Sequence, residues 1–399
     1  MTNFSIQRAN HDSAAPLLVH IPHSSTAIPS LYRSQILLAD TALDRELLAM
    51  TDRYTDELFA EHAIANGGSA FVNGLSRLVF DPERFEEDAL EEMSKKGMGA
   101  VYTSTSDLGS LRAPDFSASD REEILRDLFR PYAEALSNEV SSQLDRFDRC
   151  LIIDAHSFPS KPLPYEDATL DRPDLCIGFD DFHVSEPLIA ALEGTGRRSG
   201  WSVGRNTPFA GSYVPLAYYR TDPRVVSVLI EINRSRYMDE ATGERSVAFE
   251  EARDLAGRLI ETAVLFEAFR STRFHAEIPS GDLCIRIGER CPRLDALLES
   301  GRHESWAYIT AHNPNGQTTS DSANERTQNE LMRELGSQGL AFYPGEGKAD
   351  IGDWPPEPSL LVVGMPESQA LELGSRYGQA AVVVGELGQP ARLLVCDPD

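Results

Sequence analysis

Three apolar runs in this chain end in residues that can bind a metal or move a proton. LLVHI, Leu17–Ile21, is stopped by Pro22 and leaves His23 at its end. LIIDA, Leu151–Ala155, is followed by His156 and Ser157, and VVSVLIEI, Val225–Ile232, carries Glu231 just before Asn233 and Arg234. Ligands of open α/β sheets gather outside the carboxyl ends of the strands. Two imidazoles and a carboxylate could therefore converge although they lie far apart in the chain.

Two histidines, one acidic group and an open position form a catalytic zinc pattern. The metal lowers the pKa of its bound water and polarises a carbonyl, while a separate carboxylate handles the proton. His23, Asp52 and His156 are the candidate ligands of one divalent ion, Zn, and Glu231 is the candidate free base. Asp52 belongs to a helical pattern over 43–66, where Asp52 and Asp56 share a stripe with Leu48 and Phe59. A carboxylate among apolar neighbours needs a partner or a metal, and Asp56 is the reserve choice. His20 lies inside the strand and is expected to point elsewhere. Each residue also has an ordinary reading: a hydrogen-bonded strand-end histidine, a helix-surface Asp52, a Glu231 paired with Arg234. The HxxE or HExxH spacing that would decide between them is absent.

Basic residues stand out against this acidic background. GLSRLVFDPERF places Arg77 and Arg84 on either side of Asp81, and GRNTPFAGSY offers Asn206 in a lid-like loop. Arginine grips carboxylates bidentately, so Arg77, Arg84 and Arg234 are candidates for clamping an acidic substrate, with Asn206 beside them. The alternative is that Arg77 and Arg84 pair with Asp81 and nearby glutamates.

Elements must position these groups. Strands are expected at Leu17–Ile21, Ala70–Val72, Leu78–Phe80, Leu151–Asp154, Leu175–Phe179 and Val225–Ile232. Helical patterns fall at 43–66, 121–144, 185–192 and 244–270, with Ser119 and Glu122 as a capping box and Pro131 as a break or kink. Alternating strands and helices predict an α/β fold with a largely parallel sheet. The stretch STRFHAEIPSGD, 271–282, reads as a linker. Beyond it come a helix over 323–335, strands at Trp306–Thr310, Leu360–Val363 and Ala380–Val384, and a Gly/Pro-rich loop over 343–359. Two domains are expected from this: a catalytic one over 1–272, then the linker and a small α+β domain over 273–399.

At 399 residues with 41% apolar and 25% charged residues, the chain has ordinary globular composition. A formal net charge of −26, without a basic patch, disfavours nucleic acid and anionic lipid as partners. No apolar run suits a membrane helix, and the N-terminus lacks a signal pattern. Five scattered cysteines fit reduced thiols. A cytoplasmic location is expected.

Taken in order over about residues 17–270, IPHSSTAIP, TDRYTDELF, SRLVFDPERF, GMGAVYTSTSDLGSLR, DAHSF, NTPFAGSYVP and IEINRSRYMDE resemble the N-formylglutamate amidohydrolase (N-formylglutamate deformylase) family. The resemblance implies a phosphorylase/hydrolase-like α/β sheet flanked by helices, of the zinc-exopeptidase kind. It implies zinc held by His23, His156 and an acidic residue, for which Asp52 is the choice, with Glu231 as base. It also gives Arg77 and Arg84 a purpose, because a glutamate-like product carries two carboxylates. One departure stands out: the family motif is nearer DxNR, and here it reads DPER. YITAHNP, SANERTQNELMREL and GQAAVVVG resemble a small bacterial domain family of unknown function, which implies a separate module and no activity.

The expected function is a zinc-dependent hydrolase cleaving the N-formyl or N-acyl amide of a small acidic amino acid such as N-formylglutamate. The alternatives are a carboxypeptidase-like or other deacylating metallohydrolase, and a non-catalytic ligand-binding scaffold.

Overall fold

The strands expected to deliver the site residues form the most deeply buried part of the chain. Every residue of β2 (Leu17–Ile21), β4 (Cys150–Phe158) and β7 (Val225–Asn233) is buried. Near-continuous apolar, β-branched runs suit strands covered on both faces. The computed structural model describes residues 3–10, 15–270, 272–314, 319–349 and 356–396. They divide into two compact units, the first built from 1–185 and 196–261, the second from 186–195 and 262–399.

In the first unit, β1 (Phe4–Arg8), β3 (Ser69–Asn73), β5 (Leu175–Gly178) and β6 (Val203–Arg205) complete a seven-stranded sheet in the order β1-β3-β2-β4-β7-β5-β6. Its centre is parallel, β3-β2-β4-β7, while β1 pairs antiparallel with β3 and β5 antiparallel with β7, and β6 runs parallel to β5. Register sets His20 opposite Asp154 and His156 opposite Glu231. Registered neighbours in a sheet project to the same face, so these pairs are brought together by the ladder itself.

One face is covered by the segment 118–147, whose Ile124, Leu128, Tyr132, Leu136 and Val140 pack with Phe71, Phe80 and Ile152. Truncating one such leucine to alanine costs about 2–5 kcal/mol. The capping box here is Ser117 with Asp120, starting the helix at Ala118, two residues before the expected Ser119 and Glu122. Pro131 does not break the helix. A π-helical turn at Leu125–Phe129 precedes it, and Pro131 sits in the first turn of Arg130–Phe147, where its missing N–H is tolerated.

Two expectations for this unit are overturned. Leu78–Phe80 is a buried turn and not a strand. The carbonyls of Leu78 and Val79 accept hydrogen bonds from Arg112 Nη2 at 3.0 Å, so a side chain satisfies what a ladder would have. The single helix over 43–66 is two helices, Asp40–Met50 and Thr55–Ala65. Between them Tyr54 adopts a left-handed conformation, φ 68°, and Asp52 N–H donates to the His23 carbonyl at 3.0 Å.

The second unit holds a seven-stranded sheet, β14-β13-β10-β12-β11-β8-β9, antiparallel at every pairing of named strands. The strands are β8 (Thr272–Ile278), β9 (Gly281–Ile285), β10 (Ser305–Ile309), β11 (Ala341–Ala349), β12 (Glu357–Val363), β13 (Ala381–Glu386) and β14 (Arg392–Val395). The expected linker is therefore the β8–β9 hairpin, apart from residue 271, which lies outside the described residues. Much of the expected loop over 343–359 is strand as well, with 350–355 outside the described residues. Gly345 reads as a turn former, yet a Cβ there would meet the His275 carbonyl oxygen at 2.1 Å. The glycine permits a close approach of backbones within the sheet. Helices at Pro292–Gly301 and Glu367–Arg376 join the expected one, which spans Asp321–Ser337. Among the described residues no helix is long and apolar enough to cross a membrane.

Candidate metal centre and active site

His23 follows β2 directly, His156 and Glu231 stand on β4 and β7, and Asp52 lies in the break between two helices. The structure brings all four together. His23 Nδ1 is 3.3 Å from His156 Nδ1, and Asp52 Oδ2 is 3.1 Å from His156 Nδ1 and 3.7 Å from His23 Nδ1. All three side chains are buried. A tetrahedral zinc with bonds of about 2.0–2.1 Å spaces its donor atoms roughly 3.3–3.4 Å apart. The trio fits such an ion. Asp56 makes no part of this cluster, so Asp52 is the carboxylate beside the imidazoles.

The far side of each ring explains why the lone pairs face inward. His23 Nε2 is 2.9 Å from Asp81 Oδ1, and His156 Nε2 is 3.2 Å from Asp154 Oδ1 and 3.1 Å from Glu83 Oε1. Ionised carboxylates only accept, so a cation bound between the Nδ1 atoms and Asp52 would leave each ring proton on Nε2; without one, a proton must lie between His156 Nδ1 and Asp52 Oδ2. Carboxylates in this outer position fix ring orientation and raise ligand basicity. A second grouping, His23, Glu83 and His156, also has donor atoms within 4.8 Å of one another. Its Nε2 atoms face Asp81 and Asp154 as well as Glu83, whereas the Asp52 set uses the opposite, Nδ1, edges of the two rings.

Electrostatics agree with this geometry. Burial works to raise Asp52, but hydrogen bonds from His156 and His23 and the Arg234 charge hold it well below the usual carboxylate range. Without a metal, burial would lower His156, yet the carboxylates of Glu83 and Asp154 hold it well above the ordinary histidine value. The two Nδ1 atoms and the Asp52 oxygen thus form a place for positive charge, which a proton or a metal can supply.

Glu231 differs from the rest. It is buried, and its Oε2 has no hydrogen-bond partner. Burial, reinforced by Asp52 and opposed by His156, pushes its carboxyl up to about 8. A carboxyl that can gain and lose a proton near neutrality suits general base and general acid work.

The remaining candidates divide. Arg77 and Arg84 border the same cavity of about 720 Å³ as His23, Asp52, His156 and Glu231. Arg77 Nη2 donates to Asp81 Oδ2 at 2.8 Å, whereas Arg84 Nε stands 3.5 Å from it. Arg234 is no free clamp: Nη2 donates to Asp52 Oδ1 at 2.8 Å, Nη1 to the Ala49 carbonyl at 2.6 Å, and Nε to Ser157 Oγ at 3.3 Å. It holds Asp52 in place. Asn206 lies outside the cavity lining. Its Oδ1 accepts from Phe179 N–H at 2.8 Å and Gly211 N–H at 3.3 Å, which braces the loop.

Sequence reasoning did not assign the outer carboxylates. Asp154 precedes His156 by two on a strand, so period-two alternation puts both on one face; that signal was available. Asp81 accepts from His23, Arg77 and Tyr102 OH (2.7 Å), and nothing local in DPER announces it. His20 is expected to point elsewhere, yet it shares a face with Asp154 and His156: its Nδ1 reaches Asp154 Oδ1 at 3.0 Å and its Nε2 reaches Tyr132 OH at 2.8 Å. It therefore extends the same buried network.

Comparison with known proteins gives a consistent result. The family model for N-formylglutamate amidohydrolase matches residues 15–238, and that for a protein of unknown function, DUF3293, matches 309–382. N-formylglutamate deformylase of Pseudomonas putida is 26% identical over 238 residues, covering 58% of this chain and 84% of that protein. The Pseudomonas aeruginosa PAO1 protein of the same name is 27% identical over 234 residues, covering 56% and 83%. The crystal structure of N-formylglutamate amidohydrolase from Ralstonia eutropha JMP134 superposes with a TM-score of 0.56 at 23% identity, covering 67% of this chain and 98% of that one.

Proposed function

Since the chain belongs to the N-formylglutamate amidohydrolase family, we propose that it is a metal-dependent hydrolase of the N-formyl or N-acyl amide of an amino acid, N-formylglutamate being the reference substrate. One zinc ion would be held by His23, Asp52 and His156. When bound, it supplies Lewis-acid polarisation of the amide carbonyl and a more acidic water. Glu231 would take a proton from the attacking water at its unpartnered Oε2 and pass it to the leaving nitrogen. Arg84 offers positive charge to a substrate carboxylate, Arg234 keeps Asp52 aimed, and Asp81 and Asp154 keep the two rings oriented.

All these residues lie in the first unit, to which we assign the activity, with a phosphorylase/hydrolase-like fold of the zinc-exopeptidase kind. The observation that carries the reading is the convergence of two Nδ1 atoms and one carboxylate oxygen within 3.1–3.7 Å beside a buried, unpartnered glutamate oxygen. The test is formate release from N-formylglutamate and other N-formyl amino acids. Turnover should vanish when a chelator strips the metal and return with zinc, with about one ion per chain by elemental analysis. Undiminished turnover in the stripped protein would refute metal dependence.

A further inference from the structure

The cavity beside the donor trio is both larger and less basic than a formylated dicarboxylate requires. Its volume of about 720 Å³ lies within the range of roughly 300–1,000 Å³ that encloses drug-sized ligands. Phe85, Phe129, Phe158 and Phe209 border it. Phe158 and Phe209 pack edge to face at 5.8 Å, with the Arg172 guanidinium over both rings at 5.3 and 5.7 Å. Two further border residues, Leu170 and Leu216, leave 42% and 67% of their surface exposed. Exposed leucines on the border of an apolar pocket suit an apolar ligand.

The charges point the same way. Six carboxylates border the cavity against five arginine or lysine groups. Arg77 and Arg234 are engaged by Asp81 and Asp52 at 2.8 Å each, Arg172 by Glu166, and Lys96 by the Tyr165 carbonyl at 2.6 Å. Arg84 is held most loosely: its nearest carboxylate oxygens are at 3.5 and 4.0 Å, and its buried Nε makes no hydrogen bond. One substrate carboxylate can be met there. A second would find the other four cations already engaged, and Glu83, whose side chain is 14% exposed, also borders the cavity, 3.1 Å from His156 Nε2 and 3.6 Å from His23 Nε2. A carboxylate brought into contact with Glu83 would face a like charge, which disfavours binding strongly in a partly dry site.

We infer that the cavity takes an N-acyl amino acid with a single carboxylate and a sizeable apolar group, and that Glu83 is the residue that turns away a second carboxylate. This rests on the amide-hydrolase reading above and narrows its substrate class. Hydrolysis itself is unchanged: water adds across the amide C–N bond, releasing a carboxylic acid and the free amino acid.

The experiment compares N-formylglutamate, N-formylphenylalanine and N-hexanoylleucine as substrates of the zinc-loaded full chain. At least one apolar monocarboxylate should exceed N-formylglutamate by about 10-fold or more in kcat/KM. In Glu83→Gln, the ratio should move about 10-fold toward N-formylglutamate through its KM; because Glu83 also lies 3.1 Å from His156 Nε2, any fall in kcat is shared by all three substrates and leaves the ratio unaffected. Calorimetric affinities for the three uncleaved substrates on Glu231→Gln protein give the same ranking without turnover. Equal or tighter binding of N-formylglutamate overturns the inference, as does a KM for it that Glu83→Gln leaves in place. Binding in the expected order with no turnover of any compound by the native zinc protein supports the inference and overturns the hydrolase reading instead.

Discussion

Around Asn324 in the second unit, buried polar atoms find partners one by one; around Glu231 in the first they do not. Asn324 Oδ1 accepts from Asn313 N–H at 2.9 Å and Thr319 Oγ1 at 2.6 Å, and its Nδ2 donates to Asn313 Oδ1 at 3.0 Å. Gln328 Oε1 accepts from Ala311 N–H at 2.9 Å. These amides and the hydroxyl are neutral and bond to one another, and Asn313 Nδ2 completes the set by donating to Glu357 Oε1 at 3.0 Å. In the first unit the buried groups are charged, two imidazole nitrogens meet at 3.3 Å, and a carboxylate oxygen has no partner. A closed neutral network rigidifies a fold. A charged cluster with an unmet atom is held for something the chain does not itself contain.

Substitutions can break or sharpen this contrast. The largest effect is expected from Glu231→Gln, which should cut kcat by about 10²–10⁴-fold while zinc content stays unchanged; activity near the native level would remove Glu231 from the chemistry. Next, His23→Ala and His156→Ala should each abolish stoichiometric zinc, read by elemental analysis after dialysis. Retention of the metal in both would mean that the Nδ1 cluster is not its site. Asp81→Asn alters the outer partner of His23, together with the acceptor of Arg77 and Tyr102 OH, and zinc affinity should weaken by about 10–100-fold in a competition titration. An unaltered affinity would make Asp81 a purely structural ion-pair centre.

A subtler effect concerns pH. Burial pushes the Glu231 carboxyl from 4.5 to about 8 in the folded protein, so the folded state holds that proton more tightly than the unfolded one. Its contribution is stabilising below about pH 4.5 and is lost as pH rises toward about 8. In metal-free protein, the Tm difference between native and Glu231→Gln should fall across that window and then level off. A difference independent of pH would mean that the carboxyl is not held protonated. The smallest functional effect belongs to the other side of the comparison. Asn324→Ala should cost about 1–3 kcal/mol of stability in denaturant unfolding, through unpaired partners, and leave turnover as it was. A loss of turnover would give the second unit a part in catalysis.

Much of the first unit was legible because its strands are long apolar runs. Burial on both faces leaves little freedom in what sequence such strands can have, and β2, β4, β5 and β7 fall where the pattern predicts. The second unit was less so. Its β8–β9 hairpin looked like a linker because RFHAEIPSGDLC mixes polar and apolar residues, as a strand with an exposed face does. Gly345 and Gly347 in β11 carry a turn signal that only the neighbouring strand explains.

By itself, the sequence determined that two histidines and a glutamate stand at or near the ends of buried strands, because chain order and period-two alternation are local properties. It also determined that Asp52 was a candidate. Only the tertiary structure decided that Asp52 and not Asp56 meets the imidazoles, since the helix break at Thr51–Tyr54 has no local cause in an unbroken apolar stripe. Hydrogen bonds to the His23 carbonyl, Arg234 and His156 hold that break. The same holds for Arg234, Asn206 and Glu83: their types were plain in the chain, but their tasks follow from partners that are distant in sequence or reached across a folded loop. Electrostatic energy depends on spatial distance, which the order of residues does not contain.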